Sequence, residues 1–207
     1  ASTDFIDDNG KGRSQVGVTA INNAHIENTQ SKFGGTSCEF DGGDDGLLVQ
    51  GPYTQFEGTG DFTYECWVRF DSLATDNHTF FDLRGTDAAD GNDLSIVFFA
   101  KSNQLSFYQN GRVDFGGSLT TNTWYHVALT RSGSTYEAFL DGTSLGTATK
   151  SSASLVCHGF YIGVSGIGYA HDLDGYIDEV RVSVTVRYTG NFTPQTSAFT
   201  NDANTLL

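Results

Sequence analysis

The sequence predicts an all-β chain folded as a two-sheet antiparallel β-sandwich, a jelly roll. Three observations carry this. Short segments alternate apolar and polar side chains, the period of a half-buried strand. They recur at regular spacing between Gly-, Asn- and Asp-rich turns, as in a sandwich. The chain holds 25 Gly against only 2 Pro in 207 residues, so glycine supplies the turns, and no window carries the 3.6-residue period of an amphipathic helix.

Taken in order, residues 1–23 are polar and loop-like, with Asp7-Asp8-Asn9-Gly10-Lys11-Gly12 as a turn cluster. Val16, Val18 and Ala20 alternate and predict a short strand. Residues 36–41 and 46–50 read as strands around the loop Asp41-Gly42-Gly43-Asp44-Asp45, and 62–71 as a long alternating strand. Strands follow over 79–84 and 94–100, then over 104–109 and 112–115 about a hairpin at Asn110-Gly111. In Trp124 to Thr147, the set Trp124, His126, Ala128 alternates with Tyr125, Val127, Leu129. Ser132-Gly133-Ser134 turns the chain, and Tyr136, Ala138, Leu140 alternate with Glu137, Phe139, Asp141 on the return. Asp141-Gly142 is a strong hairpin signal because both residues tolerate positive φ. Residues 159–164 and 175–184 are the last clear strands. One domain over 1–207 accommodates all of this.

Aromatic residues make up 13% of the chain, with 16 Phe, enough for a sizeable core. The formal net charge is −14, from 25 acids against 11 bases, which argues against nucleic acid, whose phosphates such a surface repels. No apolar run is long enough to span a membrane, so membrane insertion is not expected. The absence of methionine suggests a processed or excised form. Of the three cysteines, Cys38 and Cys66 fall on core-facing positions and read as small buried hydrophobes, with a Cys38–Cys66 bridge as the other option. His126, inside a strand and without a nucleophile motif, reads as structural.

Acids concentrate in three loops. The first holds Asp41, Asp44 and Asp45. The second holds Asp87, Asp90, Asn92 and Asp93. The third is His171-Asp172-Leu173-Asp174-Gly175, with Asp178 beyond it. Calcium takes six to eight hard oxygens, which such loops and their carbonyls supply. Asp and Gly also favour turns without any metal. The expectation is a Ca2+ ion held by members of Asp41, Asp44, Asp45, Asp172, Asp174 and Asp178. A sugar would stack on exposed aromatics beside hydrogen-bonding groups, and Tyr53, Tyr108 and Tyr169 are the candidates, each near a loop or strand end.

Several motifs occur in one order: Lys32-Phe33-Gly34-Gly35 leading to Glu39-Phe40-Asp41-Gly42, then Asp61-Phe62-Thr63-Tyr64-Glu65-Cys66-Trp67-Val68-Arg69-Phe70, then Trp124-Tyr125-His126-Val127-Ala128 with Asp141-Gly142, then Gly175-Tyr176-Ile177-Asp178-Glu179-Val180-Arg181-Val182. Together they resemble the laminin-G-like jelly rolls of the concanavalin A-like lectin/glucanase superfamily. The tail Arg187-Tyr188-Thr189-Gly190-Asn191-Phe192-Thr193-Pro194 is similar to tails of such domains in phage structural proteins. The resemblance implies a concanavalin A-like sandwich, calcium at its rim, and Trp67 and Trp124 as core positions. Glucanases of the superfamily carry Glu-x-Asp-x-x-Glu on one strand; the nearest match here, Asp178-Glu179, has adjacent acids, so no catalysis is expected. Such domains open with an apolar strand before the Asp/Gly loop, and this chain starts at the loop. Asn204, Thr205, Leu206 and Leu207 read as a strand that fills the gap, either in its own sandwich or donated to a neighbouring subunit. The expected function is a non-catalytic structural or adhesive subunit of an extracellular or virion assembly, a filament or phage appendage that self-associates. The alternative is a calcium-dependent glycan-binding module of a larger adhesin.

Overall fold

The computed structural model describes residues 16–74, 77–86, 94–168 and 171–207. Among them the strands are β1 (Val18–Ile21), β2 (His25–Glu27), β3 (Ser37–Asp41), β4 (Gly46–Val49), β5 (Phe62–Phe70), β6 (Asn77–Asp82), β7 (Val97–Lys101), β8 (Gln104–Tyr108), β9 (Arg112–Gly116), β10 (Trp124–Ser132), β11 (Thr135–Leu140), β12 (Thr143–Thr149), β13 (Phe160–Ile162) and β14 (Asp174–Ser183). A 3-10 turn, Tyr53–Phe56, is the only helical piece among the described residues. The strands form two seven-stranded sheets, β1-β4-β13-β6-β7-β8-β9 and β12-β11-β10-β5-β14-β3-β2, and every strand-to-strand pairing is antiparallel. The sandwich expected from the alternation is therefore what forms.

Alternation decides which side chains meet between the sheets. From the second sheet, Tyr64, Cys66, Val68 and Phe70 of β5 and Tyr125, Val127 and Leu129 of β10 enter the core. From the first, Phe80, Phe98, Phe107 and Phe160 meet them. Rings touch across the gap: Phe107 stacks on Tyr136 at 4.7 Å and Tyr64 meets Phe160 edge-on at 5.8 Å. Each such ring, buried, stabilises the fold by about 1.5–3 kcal/mol. One bulge breaks the period. Between Thr79 and Phe81 the β6 register shifts, so the consecutive Phe80 and Phe81 both reach the core.

The hairpins at Asn110-Gly111 and Asp141-Gly142 form with positive φ at both residues of each pair. Gly142 has a second reason to lack a side chain, since a Cβ there would lie 2.0 Å from the Phe192 carbonyl oxygen. Cys38, Cys66 and Cys157 are buried free thiols, so no Cys38–Cys66 bridge forms. Strand β2 has no apolar alternation and was not expected from sequence.

After β14 the chain crosses the outer face of the second sheet and then returns to β14. Leu206 N–H donates to the Val182 carbonyl at 2.7 Å, Val182 N–H to Leu207 at 2.8 Å, and Val184 N–H to Asn204 at 2.9 Å. Strand β3 pairs with β14 only from Asp174 to Ile177, and Asn204–Leu207 takes up the edge further along. Leu206 is buried in the core. In this single chain the segment pairs within its own sandwich. Arg187 clamps the turn before it with two bonds to Asp202, at 3.1 and 2.9 Å.

Candidate functional site

Pairing of Asp174 with Asp41 sets the 41–45 loop beside the 171–174 loop at one rim of the sandwich. Asp44 N–H donates to Asp172 Oδ2 at 3.1 Å, and the Asp174 side chain lies against Gly42. Two of these acids serve the loop itself. Asp45, buried, accepts the Asn23 amide at 2.7 Å and the Asp41 amide at 3.0 Å. Asp41 accepts the Gly43 amide at 2.9 Å. Burial pushes the carboxyls of Asp45, Asp172 and Asp174 up, and neighbouring carboxylates push them further. Asp172 Oδ1 is buried with no hydrogen-bond partner. The rim thus gathers negative charge around one buried, unpartnered carboxylate oxygen. It is not assembled as a carboxylate cage: among the described residues, the only three metal-binding side chains whose ligand atoms all lie within 4.8 Å of one another are His25, Glu27 and Glu39.

Asp178 departs from the set. It lies on β14 opposite Trp67, where Oδ2 accepts the amides of Lys32 and Phe33 at 2.7 and 3.1 Å and Oδ1 accepts that of Glu179. A bulge between Asp178 and Arg181 sets Glu179 at φ 55°, so the adjacent acids do not simply point to opposite faces as plain alternation predicts. Glu179 accepts the Phe199 amide. Asp87, Asp90, Asn92, Asp93 and Tyr169 lie outside the described residues. Tyr53 is half-buried against the core, and Tyr108 lies on β8 of the other sheet with Arg84 5.8 Å above its ring. Neither lines the cleft described next.

The aromatic cleft is elsewhere. Trp67 of β5 and Trp124 of β10 belong to the phase opposite the core, on the outer face of the second sheet. The loop between β2 and β3, held by Asp178, brings Lys32 and Phe33 over this face. Phe33 meets Trp67 edge-on at 5.8 Å, and Lys32 Nζ stands 3.8 Å from the Trp67 ring centre. Asp141, at the β11–β12 hairpin, accepts the His126 amide at 2.8 Å. The returning chain adds Pro194, Gln195 and Thr196, pinned by the Phe192 N–H bond to the Gly142 carbonyl at 2.8 Å. These eight residues line an open cleft of about 470 Å³. Trp67 is buried, but Phe33 and Trp124 are only half-buried, a correction to the reading of Trp124 as core.

Beneath the same returning chain lies a buried polar network. Glu65 Oε1 accepts Arg181 Nε at 2.8 Å, and Oε2 meets His126 Nε2 at 3.0 Å and the Tyr188 hydroxyl at 2.7 Å. Burial pushes the Glu65 carboxyl up, but the bonds and charges of His126 and Arg181 outweigh it and hold it below its ordinary value. The His126 ring is packed edge-on by Trp67, Tyr188, Phe192 and Phe199. His126 Nδ1 and Trp67 Nε1 are buried without partners, so His126 is structural but satisfied on one side only. Glu65 and His126 are wholly buried, and this pair cannot reach a bound molecule in the cleft. The cleft sets half-buried ring faces beside an ammonium, a carboxylate, an amide and a hydroxyl that can form hydrogen bonds.

A family model described as the concanavalin A-like lectin/glucanases superfamily matches residues 41–188. A search of curated proteins finds no match. Solved structures share the fold. Domain 4 of an extracellular GH43 arabinanase from Geobacillus stearothermophilus, in complex with arabinotriose, is 15% identical with TM-score 0.60, covering 83% of each chain. The CBM40 of a Ruminococcus gnavus sialidase, bound to α2,3-sialyllactose, is 13% identical with TM-score 0.54, covering 63% of this chain and 78% of that one. A Trypanosoma rangeli sialidase is 18% identical with TM-score 0.62, covering 84% of this chain; the chain spans only 28% of the sialidase's length.

Proposed function

The chain belongs to the concanavalin A-like lectin/glucanases superfamily, and from that premise we propose that it is a non-catalytic carbohydrate-binding module. The cleft framed by Lys32, Phe33, Trp67, Trp124 and Asp141 is its glycan site. The observation that carries this is the convergence of half-buried ring faces with several different polar groups in one open cleft. Two structural neighbours, the arabinanase domain and the CBM40, are held with oligosaccharides, which favours the same class of ligand here. An extracellular or virion-surface setting goes with this reading, because glycans are met there.

The test is a glycan array spanning neutral and sialylated oligosaccharides, followed by calorimetry on the best ligand. Trp124→Ala should cost about 2 kcal/mol, some thirtyfold in Kd, with the thermal unfolding midpoint little changed. Binding as tight as wild type in Trp124→Ala would remove the cleft from the proposal.

Asp172 Oδ1 favours a second element, a calcium ion at the acid rim with Asp44, Asp172 and Asp174 as ligands. Calorimetry with calcium should show one site that Asp172→Asn abolishes; silence at millimolar calcium rejects it. The structural or adhesive subunit expected from sequence is the competing reading. Light scattering separates the two: the module should run as a monomer without sugar, and large particles that disperse when residues 203–207 are removed would support the subunit.

A further inference from the structure

A second cluster of metal-ligating side chains stands at the edge of the same sheet, joined to the acid rim through Asn23, whose carbonyl meets His25 and whose amides bond Asp45 and Asp41. His25 and Glu27 are two residues apart on β2, so their side chains share a face. Glu39 on β3 is directly opposite His25 in the ladder. Three functional groups from two strands therefore meet without any loop rearrangement. His25 Nε2 is 3.1 Å from Glu39 Oε2 and 3.9 Å from Glu27 Oε2, and one ligand atom from each of the three residues lies within 4.8 Å of the others. Two ligands of a tetrahedral zinc ion, each about 2.0 Å from the metal, stand about 3.3 Å apart, close to these spacings.

Each ligand is also aimed by a bond on its other atom. His25 Nδ1 is 2.7 Å from the Asn23 carbonyl, which can only accept, so Nδ1 carries a proton and Nε2 is the ring atom that faces the carboxylates, where a metal would take the place of a proton. Glu27 Oε1 accepts the amides of Asn28 and Thr29 at 2.5 and 2.9 Å, which turns Oε2 toward His25. Glu39 Oε1 accepts the Tyr176 hydroxyl at 3.1 Å from the next strand, which turns its Oε2 toward His25. Outer bonds of this kind fix the tautomer and orientation of metal ligands. The three side chains are 23–30% exposed, so a metal can enter and solvent can complete its shell.

We propose that His25 Nε2, Glu27 Oε2 and Glu39 Oε2 bind a divalent first-row transition metal, with zinc as the probe. One nitrogen and two carboxylate oxygens make a set that zinc accepts and that is too small for the six to eight oxygens of calcium.

The experiment is calorimetric titration of the whole chain with zinc chloride, beside calcium and magnesium chloride, in the wild type and in His25→Gln, Glu27→Gln and Glu39→Gln. One zinc site is expected, weakened at least tenfold in His25→Gln and Glu39→Gln. Tyr176→Phe, which removes only an orienting bond, should weaken it about tenfold. Zinc should raise the unfolding temperature of the wild type and leave that of His25→Gln unmoved. Any variant that has lost its metal-free unfolding transition is replaced by the other two. No zinc binding at millimolar concentration would overturn the proposal, leaving an ordinary histidine–carboxylate contact. Zinc binding of wild-type strength in both His25→Gln and Glu39→Gln would also overturn it, by placing the metal elsewhere, the acid rim included.

Discussion

Glu65 and the rim aspartates sit in the same sheet system but in opposite electrostatic states. Glu65 lies under the returning C-terminal chain, with Arg181 on one oxygen and His126 and Tyr188 on the other. Burial raises Asp45, Asp172 and Asp174, and nearby carboxylates add to it: Asp41 against Asp45, Asp44 and Asp45 against Asp172, and Asp71 and Asp41 against Asp174. A buried charge that is fully partnered ties strands together, because removing one member strands the rest without solvent. A crowd of like charges works against the fold unless a turn or a cation uses it. The first region is built for integrity and the second for loop shape or an ion.

Glu65→Ala should be the sharpest way to break this contrast. It leaves Arg181 and His126 buried with no anion, which costs about 3–5 kcal/mol. In a domain of this size that is roughly a 10 °C fall in the unfolding midpoint, readable by calorimetry. A loss below about 1 kcal/mol would mean that the network relaxes to water and does not tie β5 to β14.

Deleting residues 203–207 should cost less, about 2–3 kcal/mol, from the burial of Leu206 and the exposed edge of β14. Asp202, held at about 2 by Arg187, would lose the chain it anchors. Thermal unfolding together with light scattering checks this. Destabilisation without change of mass fits the tail seated in its own sheet, and a loss of large particles fits a donated strand.

The same contrast explains what could be read from sequence. The hairpins and the rim were legible because their residues are neighbours in the chain: Asp141-Gly142, Asn110-Gly111, and the acids of 41–45 and 171–174. The network was not, because Glu65 joins residues 61, 116 and 123 positions away. Trp124 shows the limit of alternation. The period places it on one face with His126, but here both faces of the sheet are partly covered, so the face alone does not say which tryptophan is sealed and which lines a cleft. Asp178 misled for a related reason. Proximity in sequence grouped it with Asp172 and Asp174, while the extended strand carried it along the sheet to the Lys32–Phe33 loop.

The smallest expected effect, and the one that sets the two regions against each other directly, is the pH dependence of stability. Glu65 has a folded value below its ordinary 4.5. Its contribution is present above the unfolded value and is lost as pH falls through the folded one. The rim acids have folded values above the ordinary 3.8. Their contribution is complete below the unfolded value and is lost as pH rises through the folded one. Stability should therefore rise on going from pH 7 to mild acidity, as the rim is relieved, and fall below about pH 4 as Glu65 protonates. The rise should be under about 1 kcal/mol, because Asp172 and Asp174 are partly exposed and solvent screens them. Urea unfolding across this range in the wild type and in the Asp172→Asn, Asp174→Asn double variant measures it. The variant should show a smaller mild-acid rise, the part from Asp45, Asp178 and Glu179 remaining, and keep the steep fall. A variant that loses the fall instead would place the acid-sensitive charge at the rim and not at Glu65, and the contrast between the two regions would not stand.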